Sequence, residues 1–270
     1  MRIPKNTTIP IVYVIFQIPM TFKKYILIVG VFLLSLGTVQ AQLLSQDEIY
    51  SREFIYGVNF NTNGGLIGGL MFKFSSLRNT VKMRQYSTFG IEIVNIKHNK
   101  ESRVNSFTGN SYIFNKVNYL YTIRPTYGRD FILFRKAPEE GVQVSAVFAV
   151  GASIGIVKPY HVLYQDAQYQ SISSVAFDPD IHQPSQIIGA GNFLEGFQDA
   201  RIVPGLNAKF GFSFDFGAFK NSVTGFEAGF QYEAYSQKIE LMRNPSAFPE
   251  INNRQFFSSV YLTVFFGTRK

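Results

Sequence analysis

The chain has no cysteine and no tryptophan, and only 16% of its 270 residues are charged. Without cysteine there is neither a disulfide framework nor a thiolate metal site, which suits a protein of an oxidising envelope compartment. No run of lysine and arginine and no recognition-helix pattern is present, so nucleic acid is excluded as a partner. Beyond residue 41, no apolar run reaches the roughly 20 residues that a membrane-spanning helix needs. No catalytic spacing stands out, and the Gly189-Ala190-Gly191 triplet lacks the context of a phosphate loop. What the chain has in quantity is aromatic residues, with 28 Phe and 15 Tyr, together with 22 Gly.

The basic balance is partly a property of the N-terminus. Residues Met20 to Ala41 carry Lys23 and Lys24, then an apolar run, then Val39-Gln40-Ala41 ahead of Gln42. This is the pattern of a secretory signal with a small-residue cleavage site, and the mature chain is expected to begin at Gln42. No cysteine follows that site, which argues against a lipid anchor there. Residues 1–19 fit poorly ahead of a signal and read as a gene-model extension, with Met20 as the start; an unusually long signal starting at Met1 is the alternative. The segment holds Arg2, Lys5, Lys23 and Lys24 and no acid, so its removal takes the formal charge from +8 to +4. The 229 residues from 42 to 270 suit one domain.

Eight stretches alternate apolar and polar residues at period two. From Val203 to Phe216 the even positions Leu206, Phe210, Phe212, Phe214 and Phe216 are apolar, while Gly205, Asn207, Lys209, Gly211, Ser213 and Asp215 lie between them. The other stretches fall at about 52–61, 65–75, 86–97, 112–125, 142–157, 223–235 and 256–267. A soluble sheet buries its aromatic face, but too few other elements exist here to cover eight of them. A closed barrel with apolar side chains toward lipid and polar ones toward the lumen needs no cover. The expected fold is therefore all-β: an eight-stranded antiparallel transmembrane β-barrel with long extracellular loops. A soluble lipocalin-like barrel is the alternative, but the large aromatic set would overfill its interior. The last stretch is ambiguous in facing, because Val260, Leu262, Val264 and Phe266 lie on one side and Tyr261 and Phe265 on the other.

Connection lengths add an independent expectation. With both termini in the periplasm, the external loops are about 62–64, 98–111, 158–201 and 236–255, and the internal turns about 76–85, 126–141 and 217–222. Long outer loops and short inner turns are the rule for bacterial barrels. The first loop is unusually tight, built on Asn61-Thr62-Asn63-Gly64-Gly65, and the 126–141 connection is too long for a plain turn.

The signal, the eight alternating strands and the closing segment from Phe256 to Gly267, followed by Arg269 and Lys270, resemble small outer-membrane β-barrel proteins of Bacteroidota, of the PorT-like or OmpA-like barrel class. The resemblance covers residues 50–270 and is one of pattern. It implies location in the bacterial outer membrane as an integral multi-pass barrel. Barrels of this size include membrane-tethering proteins, adhesins, lipid A enzymes and subunits of secretion or assembly machines, so function has to be read from sites.

The inward face is expected to carry Lys73, Glu92, Arg124, Lys209, Asp215, Glu227 and Glu233. Charges in a narrow lumen are costly unless paired, so these should form a network of salt bridges across the interior; a proton or solute path is the sharper alternative. The histidines His98, His161 and His182 lie at outer strand ends or in loops, near Ser102, Ser106 and Ser111, without the spacing of a lipid A-modifying enzyme. Asp178-Pro179-Asp180 reads as an acidic turn, lacking the length and glycine of a calcium loop. The loop 158–201 is rich in aromatic residues, suggesting a cap over the barrel mouth or a partner surface. In 128–141, the residues Phe131, Leu133, Phe134, Arg135 and Lys136 form an apolar core with basic flanks. This segment reads as interfacial, as a docking site, or as strands running on past the membrane. The expected role is a structural or interaction subunit of an envelope complex with outer-membrane lipids and envelope proteins as partners. No cofactor, metal or enzymatic activity is expected; a small pore is the runner-up.

Overall fold

The computed structural model describes residues 51–79, 84–135, 141–166, 171–217, 221–244, 251 and 253–270. The expected extension, the expected signal and Lys136 lie outside the described residues. The chain opens with β1 (Arg52–Asn61), β2 (Gly65–Asn79) and β3 (Arg84–Ile96), then a small hairpin of β4 (Arg103–Asn105) and β5 (Ser111–Ile113). Two long strands follow, β6 (Asn118–Phe134) and β7 (Gln143–Pro159). Next come β8 (His161–Gln165), β9 (Ile172–Ala176) and β10 (Ile187–Ala190), and finally β11 (Arg201–Asp215), β12 (Ser222–Ile239) and β13 (Arg254–Arg269).

The eight long strands form a closed antiparallel barrel in the order β1-β13-β12-β11-β7-β6-β3-β2. Each long strand pairs with the next along the chain, and β1 against β13 closes the ring, with Val58 opposite Val264. Closure removes both sheet edges, so the strands' backbone groups bond within the wall. Alternation then decides what faces where. Phe72 is 43% exposed on the outside, while its neighbour Lys73 is 5% exposed on the inside. Phe54, Phe89, Phe148, Phe230 and Leu262 likewise point out. The barrel is thus inside out relative to a soluble one, and the lipocalin-like alternative fails on the direction of these side chains.

The interior is filled in three layers. Toward the end where β1 begins and β13 finishes, Ile55, Met71, Val223 and Phe265 pack together. Charged groups occupy the middle. At the opposite end, Val94, Ile96, Leu120, Val157, Val203 and Tyr235 pack with Ile239, Leu241, Met242, Ile251 and Phe257. The inward rings of the last strand, Phe257, Tyr261 and Phe265, are buried, which settles its facing. Three of the inward rings have glycine opposite them. A Cβ on Gly225 would come within 2.8 Å of the Phe265 ring, one on Gly211 within 2.5 Å of the Tyr261 hydroxyl, and one on Gly155 within 2.8 Å of the Tyr235 ring. The cavity left beside Lys73, Glu92 and Lys209 is about 10 Å³, which is the room of a single water.

Several expected boundaries are corrected. The fourth barrel strand begins at Asn118, six residues later than expected, and runs on to Phe134. Residues 112–113 belong to β5 of a separate hairpin. The over-long connection expected at 126–141 is strand as far as Phe134, in line with the reading of strands that run on: Phe131 pairs with Ala146 and Gln85, and Phe134 with Val144. The sequence conceals this because Thr126-Tyr127-Gly128-Arg129-Asp130 looks like a turn, yet its inward members Thr126, Gly128 and Asp130 keep the period of the strand. The expected pattern of lengths holds between the barrel strands: 97–117, 160–200 and 240–253 are long and lie with the tight 62–64 at one end, and the connections at the other end are shorter.

The packing of Tyr235 against Gly155 generates a test. Gly155→Val should cost about 1–3 kcal/mol by overpacking, read as a lower urea midpoint for unfolding of the refolded barrel. Ala152→Val, on the exposed outer face of the same strand, should leave that midpoint unchanged.

Candidate functional site

The middle layer is a continuous line of alternating charge. Lys73 Nζ lies 3.0 Å from Asp130 Oδ2 and 3.0 Å from Glu227 Oε2. Lys209 Nζ lies 2.8 Å from the other oxygen of Glu227 and 2.8 Å from Glu92. Arg124 takes the second oxygen of Glu92 at 3.3 Å and also pairs with Glu233. Tyr261 donates its hydroxyl proton to Glu227 at 2.9 Å, and Tyr235 donates to Glu233. These groups come from β2, β3, β6, β11, β12 and β13, so the line ties together strands that share no edge.

Six of the seven expected lumen charges fall in this line. Asp215 does not; it sits at the mouth, pairing with Arg269, whose Nε lies 3.5 Å from Glu53. Asp215 also accepts the backbone N–H of Gly217 at 2.9 Å, which binds the mouth to the neighbouring turn. Sequence reasoning missed Asp130, Glu53, Arg269, Tyr235 and Tyr261. For all three charges the available signal was parity: Asp130 and Arg269 continue the inward period beyond the expected strand ends, and Glu53 holds it inside the expected first strand.

Burial decides what this arrangement can do chemically. Glu227 is fully buried and each of its oxygens meets an ammonium, so its charge is stabilised where a lone carboxylate would be very costly. With so small a cavity beside it, the network has no room for a passing solute. Its geometry is that of a lock between opposite walls.

At the loop end, the long connections fold into a cap. Strand β8 lies between β9 and β10 in a three-stranded sheet, and β4 pairs with β5. Tyr112, Tyr160, Val162, Phe177 and Ile187 form its core. The backbone N–H of Ile113 donates to the Tyr160 hydroxyl at 2.9 Å, and the Thr108 hydroxyl donates to the Ile188 carbonyl at 2.9 Å, joining the hairpin to the sheet. Buried Lys116 meets Glu101 at 2.6 Å and bridges to Met242. The loop 158–201, expected to cap the mouth or face a partner, thus has a sheet of its own.

The remaining candidates take structural parts. Asp178 and Asp180 lie 3.3 and 2.9 Å from Arg243, which also bonds Glu240, so the acidic turn holds a guanidinium. Among the described residues no cluster of His, Asp or Glu could hold a metal ion. His98 and His182 each accept a backbone N–H, from Lys100 at 3.2 Å and from Asp178 at 3.0 Å. His161 Nδ1 lies 3.4 Å from the Pro159 carbonyl, and the Ser106 hydroxyl donates to the Ile188 carbonyl. The Ser174 hydroxyl donates to Glu195 and, with the Asn192 N–H, holds that carboxyl below the usual range. In the expected interface segment, Phe131 packs edge-on against Phe148, while Leu133, Phe134 and Arg135 are exposed at the strand end.

No protein-family profile matches the chain, and no curated protein matches it. Among solved structures, it is similar to Ail, the attachment invasion locus protein of Yersinia pestis, at 11% identity and a TM-score of 0.36, covering 82% of this chain and 100% of that one. A structure of Ail in complex with the heparin analogue sucrose octasulfate matches at 10% identity and 0.35, over the same shares. Neisserial surface protein A matches at 10% identity and 0.33, covering 82% of this chain and 97% of that one. At these values the reading of this chain rests on its own geometry.

That geometry makes Glu227 the most sensitive position of the lumen. Glu227→Ala would leave Lys73 and Lys209 facing each other without their shared carboxylate, and should cost about 3–5 kcal/mol. Arg124→Ala should also lower the heat resistance of the folded barrel in detergent gels, since it strands Glu233. An unchanged transition in both variants would discard this placement of the charges.

Proposed function

We propose that the chain is an integral β-barrel of the bacterial outer membrane, of the kind its closing strand resembles in Bacteroidota. It serves as a structural or interaction subunit of an envelope complex, in protein transport, assembly or surface organisation. The observation that carries this reading is the combination of an apolar outer wall with a lumen locked by paired charges. An apolar wall of this extent needs lipid against it, and a closed barrel is one of the two folds that can cross a bilayer. A locked lumen weighs against conduction and leaves the loops and the exposed strand ends as the working parts.

The cap supports an interaction role. Three loops joined by contacts such as Ile113 with Tyr160 and Arg243 with Asp178 present a shaped surface, as a partner site requires. Phe107 and Ile172 stand exposed on it, as does Ile181 beside the Arg243 cluster. The strand end with Leu133, Phe134 and Arg135 is a second surface, on the opposite side of the membrane.

The test is to extract the membrane in mild detergent through a tag placed after Lys270 and weigh the intact assembly. A defined set of co-purifying envelope proteins, with no stable single-channel steps from the pure barrel in a planar bilayer, is the expected result. A lone barrel that conducts in regular steps would overturn the subunit reading in favour of a pore.

A further inference from the structure

Lys158 lies on the wrong side of the wall for a cation. In β7 the even positions point outward, and Phe148, Val150 and Ile154 are exposed there. Lys158 continues that row, yet it is only 1% exposed. What covers it is the turn that follows β10. Its ammonium lies 5.0 Å from the Phe193 ring centre, 4.8 Å from that of Phe197 and 5.3 Å from that of Tyr119, and it donates to the Phe193 carbonyl. The same two phenylalanines touch the outward ring of Tyr121, with centroids at 6.0 and 6.3 Å. The turn therefore leaves the cap and lies down along the outside of the barrel.

The side chains it presents away from the protein are apolar: Phe193 is 58% exposed and Leu194 is 72%. Their surroundings on the wall can be read from the strand register. Tyr121 is opposite Ile156, and Ile156 is opposite Ile202, which is 71% exposed. The apolar outer belt thus reaches this height on β7 and β11. On the other neighbour, Asn95 of β3 stands opposite Tyr121, so the outer row turns polar beside Tyr121 on that strand. A boundary between apolar wall and polar loops, marked by Tyr119 and Tyr121, is where a bilayer's interfacial zone lies on a membrane barrel.

We infer that the turn 192–197 is a membrane-interface anchor, which seats Phe193 and Leu194 among the outer-leaflet lipids and thereby fixes the cap on the bilayer surface. Lys158 makes this possible. Its stem lies along apolar surface while its charge ends against aromatic faces and a carbonyl, so the cation is shielded at the lipid boundary. The turn is bolted to the cap at the same time, because Glu195 accepts from the Ser174 hydroxyl of β9 and from the Asn192 N–H. Tilt of the cap would pull apolar side chains out of lipid.

The inference rests on the membrane reading above, and the absence of native tryptophan allows both to be tested separately. Three single-tryptophan variants are refolded into phosphatidylcholine vesicles, with and without brominated acyl chains, and checked for heat-modifiable migration. Phe210→Trp reports the outer wall, Leu194→Trp the turn, and Ile181→Trp the cap. Leu194 and Ile181 have the same exposure, 72% each, so exposure alone predicts equal behaviour. The expected result is loss of emission to brominated lipid for Phe210→Trp and Leu194→Trp, with Ile181→Trp quenched by aqueous iodide instead. Iodide quenching of Leu194→Trp with lipid quenching of Phe210→Trp would overturn the anchor and leave the membrane reading standing. If Phe210→Trp escapes lipid quenching, both fall.

Discussion

A closed sheet of eight strands encloses too little space for water to solvate ions, so each charge that points inward must find its counter-charge on another strand. Everything else in this barrel is arranged around that constraint. Glu227 is the group that meets it most fully, since both its oxygens hold an ammonium and Tyr261 supplies a further donor. The lysines it holds come from β2 and β11, which share no edge with each other. Cross-lumen pairing thus does for the interior what hydrogen bonding does for the wall. It fixes the distance between opposite strands, and an apolar layer at each end keeps water from competing for the charges.

The same narrowness sets the use of glycine. Inward rings at Tyr235, Tyr261 and Phe265 need facing positions without a side chain, and Gly155, Gly211 and Gly225 supply them. Aromatic residues inside and small residues opposite are two halves of one packing solution. The alternation rule therefore fails as a simple recipe of apolar outside and polar inside. It gives the direction of a side chain, and the available volume then selects its size.

How much of this was legible in the sequence follows from the range of each interaction. The barrel, its strand number, the outward rows and the inward placement of Lys73, Glu92, Arg124, Lys209 and Glu227 are consequences of period two, which is local and visible. Strand ends are not. The stretch Gly128-Arg129-Asp130 has turn-like composition, and what keeps it extended is pairing with Ser87, Tyr86 and Ala149 on other strands. With that extension only one of three readings of the segment, Asp130 stayed hidden and Phe131–Phe134 looked like a surplus. The cap was legible only as an aromatic-rich loop, because its sheet depends on contacts such as Tyr160 with Ile113, 47 residues apart.

A barrel locked in this way leaves little freedom in its wall. The outer row must be apolar, the inner row must pair or shrink, and neither can be varied to recognise a partner without loss of the fold. The loops carry no such restriction, and here they have used it to build a second hydrophobic core around Tyr160, Val162 and Ile187. A core above the barrel is costly to order unless its orientation matters, because a solvated loop would satisfy its backbone with water at less entropic expense. Orientation is what the contacts between its loops preserve: Lys116 bridged to Met242 on one side, and Arg243 across Asp178 and Asp180 on another. The wall thus acts as a fixed mount, and the shape a partner could read is held by the cap.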